Sequence, residues 1–378
     1  GRDRTHGFRD RQGDEAMKGL ESFYGRGRIT AAYILLFPLL LVLSCVYGVA
    51  VVCIAWLYRR GTLASLRPRN SVISIGNITL GGSGKTPLAE YAAAKLFEAG
   101  CPVAVLMRGY GRPSVKKGAD AGSFEALGDE GSMIEENAGG RWRVLAGRDR
   151  AFLVRELEAG GFRGAIILDD GFQHWRVKRD CDIVAVDATR PFGNGLLLPA
   201  GHLREPRSAL RRASVLCMTR CDQAAPEAVE ALKRTLLRLN PTALVVETVH
   251  EPAGLYDLKI KTKFDTDVLR GVPVGLVCGI AQPGSFEKTV VAMGGQVVSR
   301  AFFRDHHVYS AGDLSRCCRR AVAAGARLIV TTQKDAQRLE RLARATNLGM
   351  DILVLKIGVR IRKNEAEFNA RLRSLCPF

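Results

Sequence analysis

Two hydrophobic patterns divide the chain. From 29 to 58 an apolar run contains no Asp, Glu, Lys, Arg or His, whereas beyond Arg69 short apolar runs alternate with segments of helical period. Thirty helical residues extend about 45 Å, longer than the roughly 30 Å hydrocarbon core of a bilayer. The alternation predicts a parallel sheet covered by helices.

The short runs locate the expected elements. Strands are predicted at 71–75, 103–107, 165–168, 183–186, 274–279 and 328–331, and helices at 87–99 and 314–324. Between the two groups, residues 247–263 alternate hydrophobic and polar positions, which predicts a β linker.

The long apolar run has three interpretations. A cleaved signal sequence is disfavoured because the run is too long. A buried core helix is an alternative, but the length favours a membrane anchor. Basic residues flank the run on both sides (Arg26 and Arg28 before it, Arg59 and Arg60 after it) and leave its orientation undecided. Pro38 lies inside the run, and a bent helix would suit a segment that dips into one leaflet.

The charge composition limits the classes of binding partner that the chain is expected to have. The chain has 378 residues and 56 Lys and Arg against 38 Asp and Glu, a net charge of +18. Solubility alone is the plainer explanation, but such a surplus favours an anionic partner. No nucleic-acid-binding module is recognisable, so a phosphorylated substrate or a membrane surface is preferred over nucleic acid. The ten cysteines lack zinc spacing and are expected to be reduced thiols.

A phosphate loop follows the first predicted strand. The segment GNITLGGSGKT occupies 76–86 and leads into a predicted helix. Glycines allow backbone N–H groups to face phosphate oxygens, while Lys85 would reach the β and γ phosphates and Thr86 would bind Mg²⁺. The strict pattern has glycine where Thr79 stands, and a glycine-rich structural turn is the alternative. The predicted nucleotide-binding residues are Thr79, Leu80, Gly81, Gly82, Ser83, Gly84, Lys85 and Thr86.

Two carboxylates follow the strand predicted at 165–168. Asp169 and Asp170 begin the segment DDGFQH. Carboxylates at the carboxyl end of a parallel strand face the crevice where ligands bind, and there they help to hold Mg²⁺. We therefore predict Thr86, Asp169 and Asp170 as metal ligands. A plain Asp-Gly turn is the alternative, and His174 on its own is more typical of a supporting residue.

These motifs define the predicted architecture. We expect an α/β protein with a P-loop NTPase-like parallel-sheet domain, a smaller second α/β domain and an N-terminal hydrophobic membrane helix. The predicted segments are 1–16 as a non-native or disordered extension, 17–69 as membrane-associating, 70–246 as the P-loop domain, 247–263 as the linker and 264–378 as the C-terminal domain.

Ten short segments, in order over about 260 residues, resemble the tetraacyldisaccharide 4′-kinases, the lipid A 4′-kinases. They are GNITLGGSGKTP at 76–87, RGYG at 108–111, GDE at 128–130, DDGFQH at 169–174, FGNG at 192–195, LPAG at 198–201, LRE at 203–205, GI at 279–280, DH at 305–306 and TQKD at 332–335. The phosphate loop of this family also lacks the first glycine. Three positions depart from the family pattern: Gln333 stands for Glu, and Arg304 and His202 each stand for Pro.

The resemblance implies an ATP- and Mg²⁺-dependent kinase that phosphorylates the 4′-hydroxyl of an acylated disaccharide 1-phosphate at the cytoplasmic side of the inner membrane. It implies Asp129 and His306 as a catalytic pair, with Lys85 assisting transfer. Arg108 and His174 are the candidate substrate-binding residues. No obligate protein partner is expected.

Two other functions compete with this one. A P-loop GTPase or ATPase switch would usually carry an Asn-Lys-x-Asp motif, which the TQKD segment only partly matches. A membrane-anchored nucleotide-binding adaptor would need no turnover. Transfer to lipid separates the kinase from both.

Overall fold

The computed structural model describes residues 31–109, 124–305, 307–345 and 349–376. Twelve strands in this part of the chain belong to one sheet, and eleven of them follow the order β10-β9-β11-β12-β7-β6-β5-β1-β4-β2-β3, with β8 paired to β7 outside that path. The strands are β1 Ser71–Gly76, β2 Val103–Met107, β3 Arg143–Ala146, β4 Ala165–Asp169, β5 Cys181–Asp187, β6 Val215–Thr219, β7 Leu244–Asp257, β8 Lys263–Phe264, β9 Pro273–Cys278, β10 Gln296–Phe302, β11 Leu328–Thr332 and β12 Asp351–Lys363.

Helices cover both faces of this sheet. The α-helices of the described residues are α1 Ala31–Arg59, α2 Lys85–Glu98, α3 Phe124–Ala138, α4 Arg150–Ala159, α5 Pro226–Leu239, α6 Pro283–Ala292, α7 Ala311–Ala323, α8 Gln333–Ala345 and α9 Glu365–Arg373. The predicted strands are present, and the expected α/β fold with a parallel-dominated sheet and an N-terminal apolar helix is confirmed.

An antiparallel ribbon of β7 and β12 joins two parallel half-sheets. β6 pairs in parallel with the start of β7, and their last pair is Met218 with Glu247. In the same way β11 pairs with the start of β12, and their last pair is Thr332 with Leu355. Because β7 and β12 are antiparallel, the carboxyl ends of the two half-sheets face each other along the ribbon. Along β7 these two edges are separated by the eight residues from Glu247 to Leu255, the partner of Leu355, which is roughly 25 Å. A cleft between facing carboxyl edges follows from this reversal.

The end of the chain returns to the first half-sheet. Phe368 and Leu372 of α9 are buried in the same cluster as Leu88 and Leu96 of α2, and the Tyr91 ring stacks on Phe368 at 6.1 Å. The division at 247–263 stays a prediction. Because α9 packs on α2, residues beyond 364 form part of the hydrophobic core of the first half-sheet.

The apolar helix α1 is one-sided in its packing. Ser44 and Gly48 are buried, whereas Leu35, Val46 and Val49 on other faces are 82%, 62% and 64% exposed. The span Leu35–Arg59 is long and apolar enough to cross a membrane. Exposure of so much apolar surface is not typical of a core helix and is consistent with membrane association.

Candidate active site

The phosphate loop connects β1 to α2 at the carboxyl edge of the first half-sheet. Gly81 and Gly84 adopt φ values of +98° and +80°, a conformation that only glycine adopts without strain. At Gly76 a Cβ atom would lie 2.5 Å from the Cβ of Phe172, so the loop entry packs directly on the segment after β4. The loop ends where α2 begins, which places its amides at a helix N-terminus.

Lys85 is oriented toward the cleft by two partners. Its Nζ atom donates to Asn77 Oδ1 at 3.2 Å and lies 3.4 Å from Asp170 Oδ1. Arg204 Nη1 contacts both oxygens of Asp170 at 2.9 and 3.1 Å. Burial alone would raise the pKa of Asp170, but Lys85 and Arg204 outweigh it, and the pKa lies below its usual range. Asp170 is therefore ionised and holds both cations at the phosphate loop.

Thr86 and Asp169 form the part of the site suited to a cation. Thr86 Oγ1 donates to Asp169 Oδ2 at 3.2 Å, so a hydroxyl and a carboxylate face the same point. Within the described residues no group of three His, Cys, Asp or Glu side chains could hold a metal by itself. Mg²⁺ typically uses one or two protein oxygens together with phosphate oxygens and water, and this pair fits that requirement.

The back of the phosphate loop is fixed by residues at the carboxyl ends of β5 and β6. Thr219 Oγ1 donates to the Ser83 carbonyl at 2.9 Å, and Arg220 Nη2 donates to the Gly82 carbonyl at 2.7 Å. The Arg220 guanidinium is also ion-paired to the buried Asp187. Arg220 adopts φ +56°, unusual for a non-glycine residue, and this indicates a position fixed by its surroundings.

Asp187 also bonds to the second half of the molecule. Gln282, which precedes α6, donates Nε2 to Asp187 Oδ2 at 2.8 Å. Burial raises the pKa of the Asp187 carboxyl. The Arg220 guanidinium and the Gln282 amide lower it by more, so the pKa lies below its usual value. The phosphate loop is thus held in place partly by a residue from across the cleft.

The cleft contains a cavity of about 330 Å³. Its walls come from both half-sheets and its floor from the ribbon. The first half contributes the phosphate loop 81–86 with Glu90, Met107, Arg108, Met133, Asp169, Asp170, Arg204 and Arg220, the ribbon contributes His250, Leu355 and Ile357, and the second half contributes Ile280, Ala281, Gln282, Ser285, Phe286, Thr289, Asp305, Thr332, Gln333 and Lys334. The combination of apolar residues and phosphate-loop polar groups suits a nucleotide.

The model of the family described as tetraacyldisaccharide-1-P 4′-kinase matches residues 36–376. The chain belongs to this family. It is 41% identical over 330 residues to the tetraacyldisaccharide 4′-kinase of Anaeromyxobacter sp. (strain K), with 86% of this chain and 87% of that protein covered. The corresponding protein of Syntrophus aciditrophicus is 37% identical over 347 residues, covering 87% and 91%.

A solved structure agrees with the family assignment. The chain is similar to LpxK from Aquifex aeolicus, whose structure was determined in complex with ATP, with a TM-score of 0.66 and 26% identity. The likeness covers 90% of this chain and 99% of the Aquifex chain. The kinase prediction is confirmed, and the GTPase-switch and adaptor alternatives receive no support from the relatives.

The predicted site residues of this tetraacyldisaccharide 4′-kinase family member differ in where they lie. The phosphate-loop residues 81–86, Asp169, Asp170 and Arg108 line the cavity, whereas Thr79 and Leu80 are not among its lining residues. Asp129 lies on α3, but its side chain is outside the described residues, as is the whole of His306. Their pairing stays a prediction, although the neighbouring Asp305 does line the cavity.

His174 lies apart from the cavity. Its carbonyl accepts from Arg179 Nη1 at 2.9 Å, and burial, followed by the charges of Arg150, Arg179 and Arg176, lowers the pKa of its imidazole to about 4. The ring is therefore neutral at pH 7. Its predicted contact with substrate stays a prediction, and among the described residues it is not part of the cavity lining.

One position that departs from the family pattern lies where the two halves meet. Gln333, at the start of α8, exchanges hydrogen bonds with Asn137 of α3: Gln333 Nε2 donates to Asn137 Oδ1 at 2.8 Å and Asn137 Nδ2 donates to Gln333 Oε1 at 3.2 Å. The same Asn137 amide donates to Glu90 at 2.8 Å. Burial raises the pKa of the Glu90 carboxyl to about 7. A glutamate at 333 would place a second carboxyl in this cluster.

Several site residues had no predicted role. Arg204 and Asn77 lie inside segments that resemble the family, but only their contacts reveal that they hold Asp170 and Lys85. Arg150 is buried at the start of α4 and donates to the carbonyls of Asp169 and Asp170. A buried arginine has no local sequence signature, because its partners come from another loop.

Proposed function

We propose that this chain transfers the γ-phosphoryl group of ATP to the 4′-hydroxyl of tetraacyldisaccharide 1-phosphate. The observation that carries the proposal is the convergence of Lys85, Thr86 and Asp169 at the cavity between the two halves, in a chain of this family. Phosphoryl transfer depends on positioning and on charge neutralisation, and these residues supply both.

In this proposal the phosphate loop binds the ATP phosphates with its amides. Lys85, held between Asn77 and Asp170, neutralises charge on the β and γ phosphates. Thr86 and Asp169 are the residues that would hold Mg²⁺, which supplies further charge neutralisation when bound. Asp170, predicted as a third ligand, faces Lys85 and Arg204, so its main task is to orient these cations.

We place the acceptor beside Arg108 and Asp305, which both line the cavity. Arg108 follows β2 and is exposed, so its guanidinium can reach an anionic sugar phosphate. The resemblance assigns Asp129 and His306 to deprotonate the acceptor hydroxyl. These residues belong to opposite halves of the molecule, and their joint action requires that the cleft close over the sugar and exclude water.

The apolar helix α1 supports attachment to a membrane. Its contacts with the folded part begin by Ser44 and extend to Tyr58, whose ring stacks on Trp175 at 6.3 Å. Its exposed apolar residues, among them Leu35, Val46 and Val49, lie away from these contacts. We therefore infer that α1 turns this apolar face toward lipid.

The end of α1 is suited to the lipid–water interface. Trp56 is 51% exposed, and the Arg60 guanidinium lies 4.9 Å from its ring centroid. Aromatic and basic side chains favour the headgroup region, and basic residues also attract anionic lipids. Because the donor is ATP, we place the protein at the cytoplasmic side of the inner membrane, with lipid as its main partner and no requirement for nucleic acid or an obligate protein partner.

The switch alternative meets a structural obstacle. In the TQKD segment Asp335 is fully buried and accepts hydrogen bonds from the Gly279 amide at 3.0 Å and from Thr332 Oγ1 at 2.7 Å. A carboxylate occupied in this way cannot read a guanine base. The segment's likeness to a base-reading motif is therefore superficial.

The direct test is transfer to lipid. Detergent-solubilised full chain is incubated with γ-labelled ATP, Mg²⁺ and tetraacyldisaccharide 1-phosphate, and the lipid product is analysed by chromatography and by ³¹P NMR. The expected result is a labelled lipid with a new phosphate ester at the 4′ position. Hydrolysis of ATP at the same rate with and without lipid, and no labelled lipid, would overturn the proposal.

Membrane attachment is tested separately. Val46→Glu and Val49→Glu together place two charges on the exposed face of α1 and should release the protein from anionic vesicles in a sedimentation assay. Val322→Glu is the matched control, because Val322 is 57% exposed on α7 in the other half. Release by the control, or retention of the α1 variant, would contradict the assignment.

A further inference from the structure

One stripe of α1 carries polar groups in an otherwise apolar helix. Ser44 Oγ donates to the Leu197 carbonyl and accepts from the Ala200 amide, both at 2.9 Å. Tyr47 OH donates to the Arg204 carbonyl at 2.9 Å. At Gly48 an added Cβ would lie 2.7 Å from Leu197 Cδ1. Ser44, Tyr47 and Gly48 form the docking seam of the helix.

The segment beneath the docking seam also touches the phosphate loop. The Leu80 amide donates to the His202 carbonyl at 2.7 Å, and the Arg204 amide donates to the Ile78 carbonyl at 2.7 Å. Thr79 and Leu203 form an antiparallel bridge between these two bonds. Residues 202–204 therefore lie between the membrane helix and the first residues of the phosphate loop.

This layer continues through Arg204 into the site. The carbonyl of Arg204 is held by Tyr47, its amide by Ile78, and its guanidinium by Asp170. Asp170 in turn lies 3.4 Å from Lys85. An unbroken series of polar contacts thus runs from the middle of the membrane helix to the lysine that faces the phosphates.

Attachment to lipid alone does not require such a seam. Apolar side chains suffice for membrane binding, whereas buried hydroxyls cost free energy unless they are hydrogen-bonded, and Ser44 is only 6% exposed. The hydroxyls of the seam are all directed at the 197–204 loop. These hydrogen bonds orient that loop and are not needed to anchor the helix in lipid.

We propose that Ser44 and Tyr47 are positioning residues that couple the membrane helix to the phosphate site. They hold residues 202–204, and through these the phosphate loop, in a fixed relation to α1. The inference rests on the proposed function. It implies that α1 is part of the catalytic framework and is not an exchangeable tether.

The test compares two tyrosines of the same helix. Tyr47→Phe removes the hydroxyl that binds Arg204 but keeps the ring. Tyr58→Phe is the matched control, because the Tyr58 ring stacks on Trp175 and its hydroxyl has no hydrogen bond to the described residues. We expect Tyr47→Phe to lower kcat about fivefold with KM for ATP and vesicle binding unchanged, and Tyr58→Phe to match wild type.

Two further readouts distinguish coupling from a general loss of structure. In the Arg204→Ala background, Tyr47→Phe should cause little additional loss of kcat, because both changes act on the same element. Hydrogen exchange of the Arg204 and Leu80 amides should accelerate in Tyr47→Phe, while that of the Leu276 amide in β9 should not. Unchanged kcat in Tyr47→Phe, an equal loss in Tyr58→Phe, or a fully multiplicative double variant would overturn the proposal.

The exchange measurement does not depend on the proposed reaction. If wild-type protein phosphorylates no lipid, the proposed function fails, and the exchange rates alone then decide the coupling. Accelerated exchange at Arg204 and Leu80 would support it, and rates equal to wild type would overturn it.

Discussion

Two aspartates lie near the carboxyl ends of strands in the two half-sheets but differ in their access to the cavity. Asp169 is the last residue of β4, and Asp335 lies in the first turn of α8 after β11. Asp169 is 5% exposed, accepts from Thr86 Oγ1 and from the Asp170 amide, and lines the cavity. Asp335 is fully buried among the Gly279 amide, the Thr332 hydroxyl and Tyr309 OH and is not among the described residues that line the cavity. The carboxyl end of a strand provides a location for chemistry, and contact with the cavity decides whether the carboxylate can meet a ligand.

The two halves of the molecule use these aspartates for different purposes. The first half presents the phosphate loop with Asp169 toward the cavity. The second half uses its carboxylate to fix the Gly279 amide and Tyr309, and Gly279 leads directly into the cavity wall at Ile280. The cavity-facing aspartate should therefore govern activity, and the enclosed one should govern stability.

The strongest test of the cavity-facing side is removal of the phosphate contacts. Lys85→Ala and Thr86→Ala should each lower kcat/KM by about a hundredfold or more, because they remove a phosphate contact and a metal contact. Steady-state transfer to lipid measures the effect. Retention of more than about a tenth of wild-type activity, a loss below about 1.4 kcal/mol, would contradict the phosphate-loop assignment.

The enclosed side is tested by Asp335→Asn. The amide would direct an N–H group at a site where three donors converge, and we expect the free energy of unfolding to fall by about 2–3 kcal/mol. Urea denaturation measures this change. The matched variant Asp169→Asn should keep most of the stability and lose the activity, and the reverse pattern would refute the comparison.

A smaller effect should follow from Tyr309→Phe. This change removes one of the three donors to Asp335 while keeping the ring that packs against Phe303 at 5.1 Å. The expected loss of stability is about 1 kcal/mol, with kcat within a factor of about two of wild type. A larger loss of kcat than of stability would show that the enclosed network also serves the reaction.

The sequence predicted the parts of this arrangement that depend on contiguous residues. The strand–loop–helix around Lys85 and the Asp pair after β4 are local patterns, so their geometry could be expected. Arg204 and Gln282 could not be expected in the site, since their partners Asp170 and Asp187 are separated from them by 34 and 95 positions and meet only through the sheet order.

Two further places concern the reach of local patterns. His174 follows the Asp pair closely in sequence but is not among the described residues that line the cavity, and its predicted contact with substrate stays a prediction. The ribbon joins β7 to β12, whose strands lie about 100 positions apart, so the reversal that brings the two carboxyl edges together could not be predicted from either segment.

A pH-dependent effect concerns Glu90, at the contact between the halves. Its pKa of about 7 in the folded protein is above the value of 4.5 for a free side chain, because burial disfavours the carboxylate. The folded state therefore binds this proton more tightly, and stability should fall as pH rises from about 4.5 to 7. In Glu90→Gln this part of the pH dependence, about 3 kcal/mol for a shift of this size, should be absent from denaturation curves.

The most direct measurement of the central claim is Mn²⁺ binding in the presence of ATP, followed by electron paramagnetic resonance on wild type, Asp169→Asn and Asp335→Asn. Mn²⁺ replaces Mg²⁺ at oxygen sites and is spectroscopically visible. We predict that wild type and folded Asp335→Asn bind one Mn²⁺ with similar affinity and that Asp169→Asn binds it at least tenfold more weakly. Equal binding by Asp169→Asn and wild type would contradict the claim that the carboxylate facing Thr86 forms the metal site of this kinase.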